Sequence, residues 1–229
     1  MSWLWSNFGL VWDLTIAHVT LSAFPIIIGF VLSLPFGWVA NRYHASRGVL
    51  LSAVGILYAI PSLPLFVAMP ALIGTKILDP INVVVALSLY ALALMVRTTA
   101  DALGSVSGDV LQSATAVGFS AWKRFWTVEL PLAGPVLLAG LRVVSVSTVS
   151  LLSIGSLIGV TTLGNLFTDG LNRYFTDEIV IGIVAIIIVA LVFDTILVLL
   201  GRLLMPWARL DRRSKRATRR AALKAVAGA

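Results

Sequence analysis

Cysteine is absent from the 229 residues, which excludes disulfides, thiol catalysis and cysteine-ligated zinc. Histidine is nearly absent: His18 and His44 are isolated from each other, and two lone imidazoles make no metal site. Charged residues amount to 12% of the chain, and the acids do not cluster into a catalytic pair within an apolar stretch. No G-x-x-x-x-G-K-[ST] loop is present to cradle nucleotide phosphates, and H-E-x-x-H and G-x-S-x-G are missing as well. These absences point away from an enzyme, with no catalytic and no metal-binding residues expected. No internal repeat stands out. Inverted repeats would have favoured an ion-coupled secondary transporter.

What the chain has in abundance is apolar residues, at 59%, with a mean hydropathy of +1.00. Soluble domains sit nearer about 45–50%, so an all-α integral membrane protein is expected. A span needs about 20 apolar residues, and five segments qualify: residues 16–40, 49–73, 81–96, 133–158 and 179–200. We read residues 1–204 as one transmembrane domain and 205–229 as a basic cytoplasmic tail. Nine of the 17 basic residues follow Gly201. Their place beside the last span suits anionic lipid rather than nucleic acid, despite a pI near 10.4. The opening stretch MSWLWSNFGLVWDLT shows neither the basic region nor the cleavage site of a signal peptide.

Orientation follows from where Lys and Arg collect. With the N-terminus outside, the inner segments hold Arg42, Arg47, Arg97, Lys123, Arg124 and the nine of the tail, 14 in all, against Lys76 and Arg173 outside. Asp13, Asp79, Asp169, Asp177 and Glu178 also fall outside. The positive-inside rule therefore places the N-terminus out, the C-terminus in, and residues 109–131 in the cytoplasm.

That polar interruption, DVLQSATAVGFSAWKRFWTVELP, organises the chain. Its first half is expected to form a short helix ended by Gly118, since only glycine takes a left-handed residue without steric cost. Ser120 can cap a second helix with Trp122, Phe125 and Trp126 on one face and Lys123 and Arg124 beside them. Pro131 is expected to restart the chain as the next span.

The helix, glycine, helix, Leu-Pro order resembles the cytoplasmic coupling loop of bacterial ABC importer permeases. In that family a Glu-Ala-Ala triplet comes first; here the triplet reads Gln112, Ser113, Ala114, followed by Gly118 and then Leu130 and Pro131. The Gln in place of Glu puts in doubt the ion pair that the Glu would make. The runs IPSLPLF and YALALMVRTTADAL, and Leu163-Gly164 with Gly170-Leu171-Asn172 in the outer loop, are similar to segments of the glycine betaine, carnitine and choline permeases. The resemblance implies a type I ABC importer permease bundle in a bacterial cell membrane. Its implied partners are a cytoplasmic ABC ATPase that holds ATP and Mg, an extracytoplasmic solute-binding protein, and a second permease copy or paralogue. It implies ATPase coupling through Gln112, Ser113, Ala114, Gly118, Trp122, Lys123, Arg124, Leu130 and Pro131. ATP closure of the ATPase pair would draw two such loops together and tilt the third and fourth spans, opening the path outward.

The second span carries Pro61, Pro64 and Pro70, each of which frees a carbonyl that lipid cannot satisfy. Such a segment suits a water-filled path, and Tyr58, Ser62 and Phe66 are expected to share its lining face. Tyr90 joins them as an aromatic surface for a quaternary ammonium. Small residues from Ser145 to Gly155 in the fourth span suit close helix packing, whether within the bundle or on a second permease copy. Arg142 is expected to snorkel or to serve structure, and the intramembrane Asp194 stands as a path candidate without a visible partner. The competing functions are a permease for an amino acid or other small polar solute, and an ion-coupled transporter using Asp194 and Arg142.

Overall fold

The computed structural model describes residues 2–207; beyond its first three residues, the tail read from the sequence lies outside them. The described residues form helices and no strand: α1 (Ser2–Ser6), α2 (Phe8–Arg42), α3 (His44–Ala59), α4 (Ser62–Ile73), α5 (Ile81–Gly104), α6 (Gly108–Ala116), α7 (Ala121–Arg124), α8 (Leu130–Leu152), α9 (Asn165–Asn172) and α10 (Thr176–Leu204). A π turn, Phe125–Glu129, joins α7 to α8, and a 3-10 turn, Ser153–Ile158, follows α8. Four helices are long and apolar enough to cross a membrane, five if the bent pair α3–α4 counts as one span.

Hydropathy misjudged the span ends. The third span runs on through Arg97 and Asp101 to Gly104, because a charge at the membrane edge ends the apolar window without ending the helix. The first begins at Phe8 rather than at residue 16, so Asp13 lies within it. The second half of the coupling segment and the fourth span are one helical run, Ala121–Ile158, of 38 residues. Pro131 stands in the first turn of α8, as expected, but no break in the helical run precedes it. The wide turn lies just before it, where proline offers no N–H to continue an i→i−4 ladder.

α5 is the central helix, with most of its residues buried. α2 packs along it through Gly29, Ser33, Gly37 and Ala40, all buried and on one face. The backbones come so close that a Cβ on Gly29 would sit 2.5 Å from the Ala91 Cβ and 2.9 Å from the Ala91 carbonyl carbon. At Gly37 it would sit 2.5 Å from the Thr99 Cβ. Between them the hydroxyls of Ser33 and Thr99 hydrogen-bond at 3.2 Å. Small residues supply this contact because lipid offers no hydrophobic drive for helices to associate, so close approach must.

The second span breaks at Ile60–Pro61 and turns by 102°. Pro61 has the extended backbone that precedes a helix, and the freed Ile60 carbonyl accepts a hydrogen bond from the Tyr90 hydroxyl on α5. α4 then packs against α5 through Leu65, Phe66 and Met69, in a cluster with Leu87, Tyr90 and Leu152. None of residues 45–59 in α3 is buried.

On the outer side His18, fully buried, joins three elements. Its Nε2 lies 3.0 Å from the Val149 carbonyl, and Leu163 N–H donates to its Nδ1 at 3.3 Å. Nδ1 must accept, so Nε2 carries the proton and donates to Val149. That carbonyl is free because Ser153 N–H bonds to Ser150 and Leu151 instead as the 3-10 turn begins. His18→Leu is expected to leave the Val149 carbonyl and the Leu163 N–H bare, at about 1–3 kcal/mol each. The checking measurement is a lower unfolding temperature of the purified protein together with faster proteolysis between residues 158 and 165.

Candidate coupling loop and solute path

The loop between α5 and α8 folds from its own local chemistry. α6 ends at Ala116 with Val117 as its C-cap, and Gly118 takes φ +91°, a left-handed conformation that a side chain resists. Gly118 N–H donates to the Thr115 carbonyl at 2.9 Å and Phe119 N–H to the Ala114 carbonyl at 3.1 Å. This paired bonding is the Schellman arrangement that closes a helix at glycine. Ser120 then caps α7, its hydroxyl accepting from Lys123 N–H at 3.3 Å.

One arginine ties the two halves together. Arg124 Nη1 donates to the Thr115 hydroxyl at 2.8 Å, reaching back to α6, while its Nε donates to Glu129 Oε1 at 2.7 Å. Glu129 is buried, so the pair is held away from solvent screening. The loop thus has an internal arginine–carboxylate ion pair even though Gln112 stands where the resembling family has Glu; Gln112 and Ser113 are exposed and Ala114 is half-buried. Glu129 escaped the sequence reading because five residues is the period of the π turn, not of an α-helix.

Phe125 is buried against Trp38, with ring centroids 6.1 Å apart, and anchors the aromatic face. Trp122 and Trp126 pack on it at 6.3 and 5.0 Å and leave their outer surfaces exposed. The Lys123 ammonium lies 4.5 Å from the Phe119 ring centre, within cation–π range. Leu130 and Pro131, both half-buried, follow the π turn into α8. Beside the loop is a cleft of about 460 Å³ lined by Gly108, Leu111, Gln112, Thr115, Ala116 and Arg124.

The expected path residues do not all share one face. Tyr58 is exposed and its ring meets Tyr90 edge-on at 5.8 Å. Pro61 and Pro64 are exposed at the break, and Ser62 is half-buried. Tyr90 is buried and committed to the Ile60 carbonyl. Phe66 is wholly buried in the α4–α5 cluster. A shared Tyr58–Ser62–Phe66 face presupposes an unbroken helix, and the 102° bend separates the three.

Asp194 has a partner after all. Arg142 on α8 donates to both its oxygens, Nε to Oδ1 at 2.6 Å and Nη2 to Oδ2 at 2.8 Å. The guanidinium therefore points at α10 instead of snorkelling toward headgroups.

The family described as the binding-protein-dependent transport system inner membrane component matches residues 33–210. The chain belongs to this family. The choline transport system permease protein OpuBB of Bacillus subtilis is 30% identical to this permease over 206 residues, spanning 90% of this chain and 94% of that one. The glycine betaine/carnitine/choline permease OpuCB of the same organism is 28% identical over an equal span. The fold matches that of the MetNI methionine ABC transporter, solved facing inward, with a TM-score of 0.71 at 18% identity, covering 84% of this permease and 96% of that chain. The chain is thus the transmembrane subunit of an ABC importer, and ATP hydrolysis belongs to a separate partner.

Proposed function

We propose that this permease forms, with a second copy or a paralogue, the path for a small solute carrying a trimethylammonium group, such as choline, glycine betaine or carnitine. A cytoplasmic ATPase holding ATP and Mg²⁺ drives it, an extracytoplasmic binding protein delivers the solute, and the whole sits in a bacterial cell membrane. The observation that carries the coupling part is the loop stapled by Arg124, which presents Trp122, Trp126 and the cleft beside Gln112 as one rigid docking surface. The solute class is supported by the names of the relatives at near 30% identity. The exposed ring of Tyr58 at the helix break adds an aromatic face of the kind quaternary ammonium groups favour.

Reconstituting the permease in vesicles with the ATPase and binding protein that co-purify with it tests the reading. Uptake of radiolabelled choline, glycine betaine or carnitine is expected only when all components and ATP are present. Uptake by the permease alone, or a complex that moves none of the three, would sink it.

A further inference from the structure

The Arg142–Asp194 pair lies well inside both of its helices. Arg142 stands twelve residues past Leu130, roughly 18 Å along α8, and Asp194 ten residues before Leu204, roughly 15 Å from the end of α10. With those helix ends at the membrane surface, both depths reach about the middle of a hydrocarbon core about 30 Å thick. Yet 43% of the Arg142 side chain and 26% of the Asp194 side chain remain exposed on the single chain. Mutual attraction does not repay the desolvation of such a pair against lipid. The face that carries it is turned to something more polar than hydrocarbon.

The surroundings agree. Ala139, Val143, Val146 and Ser147 join the pair in lining an open cleft of about 440 Å³. That size is in the range of small-molecule sites, about 300–1,000 Å³, and so is the mix of apolar walls with a few converging polar groups. The exposed positions of α8 form one stripe, Leu132, Val136, Ala139, Val143, Val146 and Ser150, at alternating steps of four and three. On α10 the side opposite Asp194 carries Val192, Ile196, Leu199 and Leu203, about half a turn around the helix, exposed aliphatics like those of the α8 stripe but with no charged group among them.

We infer that this cleft borders the solute path and is a subsite for a zwitterion with a quaternary ammonium at one end and a carboxylate at the other, an inference that rests on the solute class proposed above. In the empty cleft Arg142 and Asp194 neutralise each other. An entering zwitterion sets its carboxylate on the planar fork of Arg142 and its ammonium beside Asp194. One ion pair becomes two, so no uncompensated charge stands in a low dielectric with or without solute. The quaternary nitrogen has no N–H to donate, so its contact with Asp194 is weaker than the hydrogen bonds it displaces. The protein pair therefore re-forms and the solute moves on, as conduction requires.

The test uses the assembled importer with its ATPase and binding protein. R142M/D194L removes both charges together, so neither is left stranded, and co-purification with the ATPase reports assembly. The ratio of glycine betaine uptake to choline uptake, choline having no carboxylate, is expected to fall at least tenfold. An unchanged ratio, whether both uptakes persist or both fall together, would overturn the subsite. A second measurement does not depend on that variant, because the chain lacks cysteine and a single introduced thiol is unique. Val146→Cys is expected to react with a membrane-impermeant maleimide and to be protected by glycine betaine, whereas Val192→Cys is expected not to react. An unreactive Val146→Cys would overturn the assignment of this face to the path. A wild-type importer that moves none of the quaternary solutes would instead refute the solute class, and the ligand assigned here with it, while the labelling would still decide which way the cleft faces.

Discussion

Gly118→Val is expected to disconnect ATP hydrolysis from solute movement, lowering uptake tenfold or more while the permease stays in the membrane at normal level. A Cβ at Gly118 would meet nothing within 4 Å, so the substitution creates no clash. What it disturbs is the backbone: φ +91° is unfavourable for any residue with a side chain and worst for a β-branched one. Losing that conformation breaks the Schellman closure and shifts α7 relative to α6, so Trp122 no longer sits in fixed relation to Gln112. Gly118→Asn is the control, since asparagine tolerates the left-handed region, and it is expected to retain most uptake. Solute-stimulated ATPase activity and uptake measured in the same vesicles check the prediction; normal stimulation in the valine variant would contradict it.

Gly29→Val is expected to prevent the bundle from forming. Its Cβ would sit 2.9 Å from backbone atoms of Ala91 and Leu92, which cannot swing away as a side-chain tip can. Overpacking of this kind costs about 1–3 kcal/mol or more, and here it wedges α2 from α5 at the centre of the fold. The outcome to look for is loss of full-length protein from membranes and failure to co-purify with the ATPase. Gly55→Ala offers the contrast. Nothing lies within 4 Å of its Cβ position, so a gain of up to about 1 kcal/mol from helix propensity is expected there.

Features with a local cause were legible in the residues alone. Gly118 stops a helix because of its own φ, and Ser120 caps the next through a bond three residues away. Hydropathy found five apolar stretches, four of them long helices and the fifth the bent pair α3–α4. What was not legible depends on contacts far along the chain. Arg142 and Asp194 were each singled out, but 52 residues separate them, and nothing in one sequence says that α8 and α10 are neighbours. His18 passed as an isolated imidazole because its partners are backbone groups, 131 and 145 positions away, which carry no side-chain signature. The Gly29–Ser33–Gly37 face repeats every four residues, but that spacing does not name the helix it packs against. Phe66 went astray for a geometric reason: helical periodicity carries no information across Pro61.

The run from Ala121 to Ile158 has a consequence for how force travels. Its 38 residues, π turn and 3-10 turn included, form one unbroken helical run roughly 57 Å long between the aromatic surface at one end and the outer turn at the other. Such a run is a lever. A displacement of about 5 Å at its inner tip turns it by roughly 5° about a pivot at the far end, and by more if α5 is the fulcrum. The far end is fastened through Val149 and His18 to Leu163, so the stroke is handed straight to the outer loop. A permease geared in this way needs no chain of relays between its two mouths.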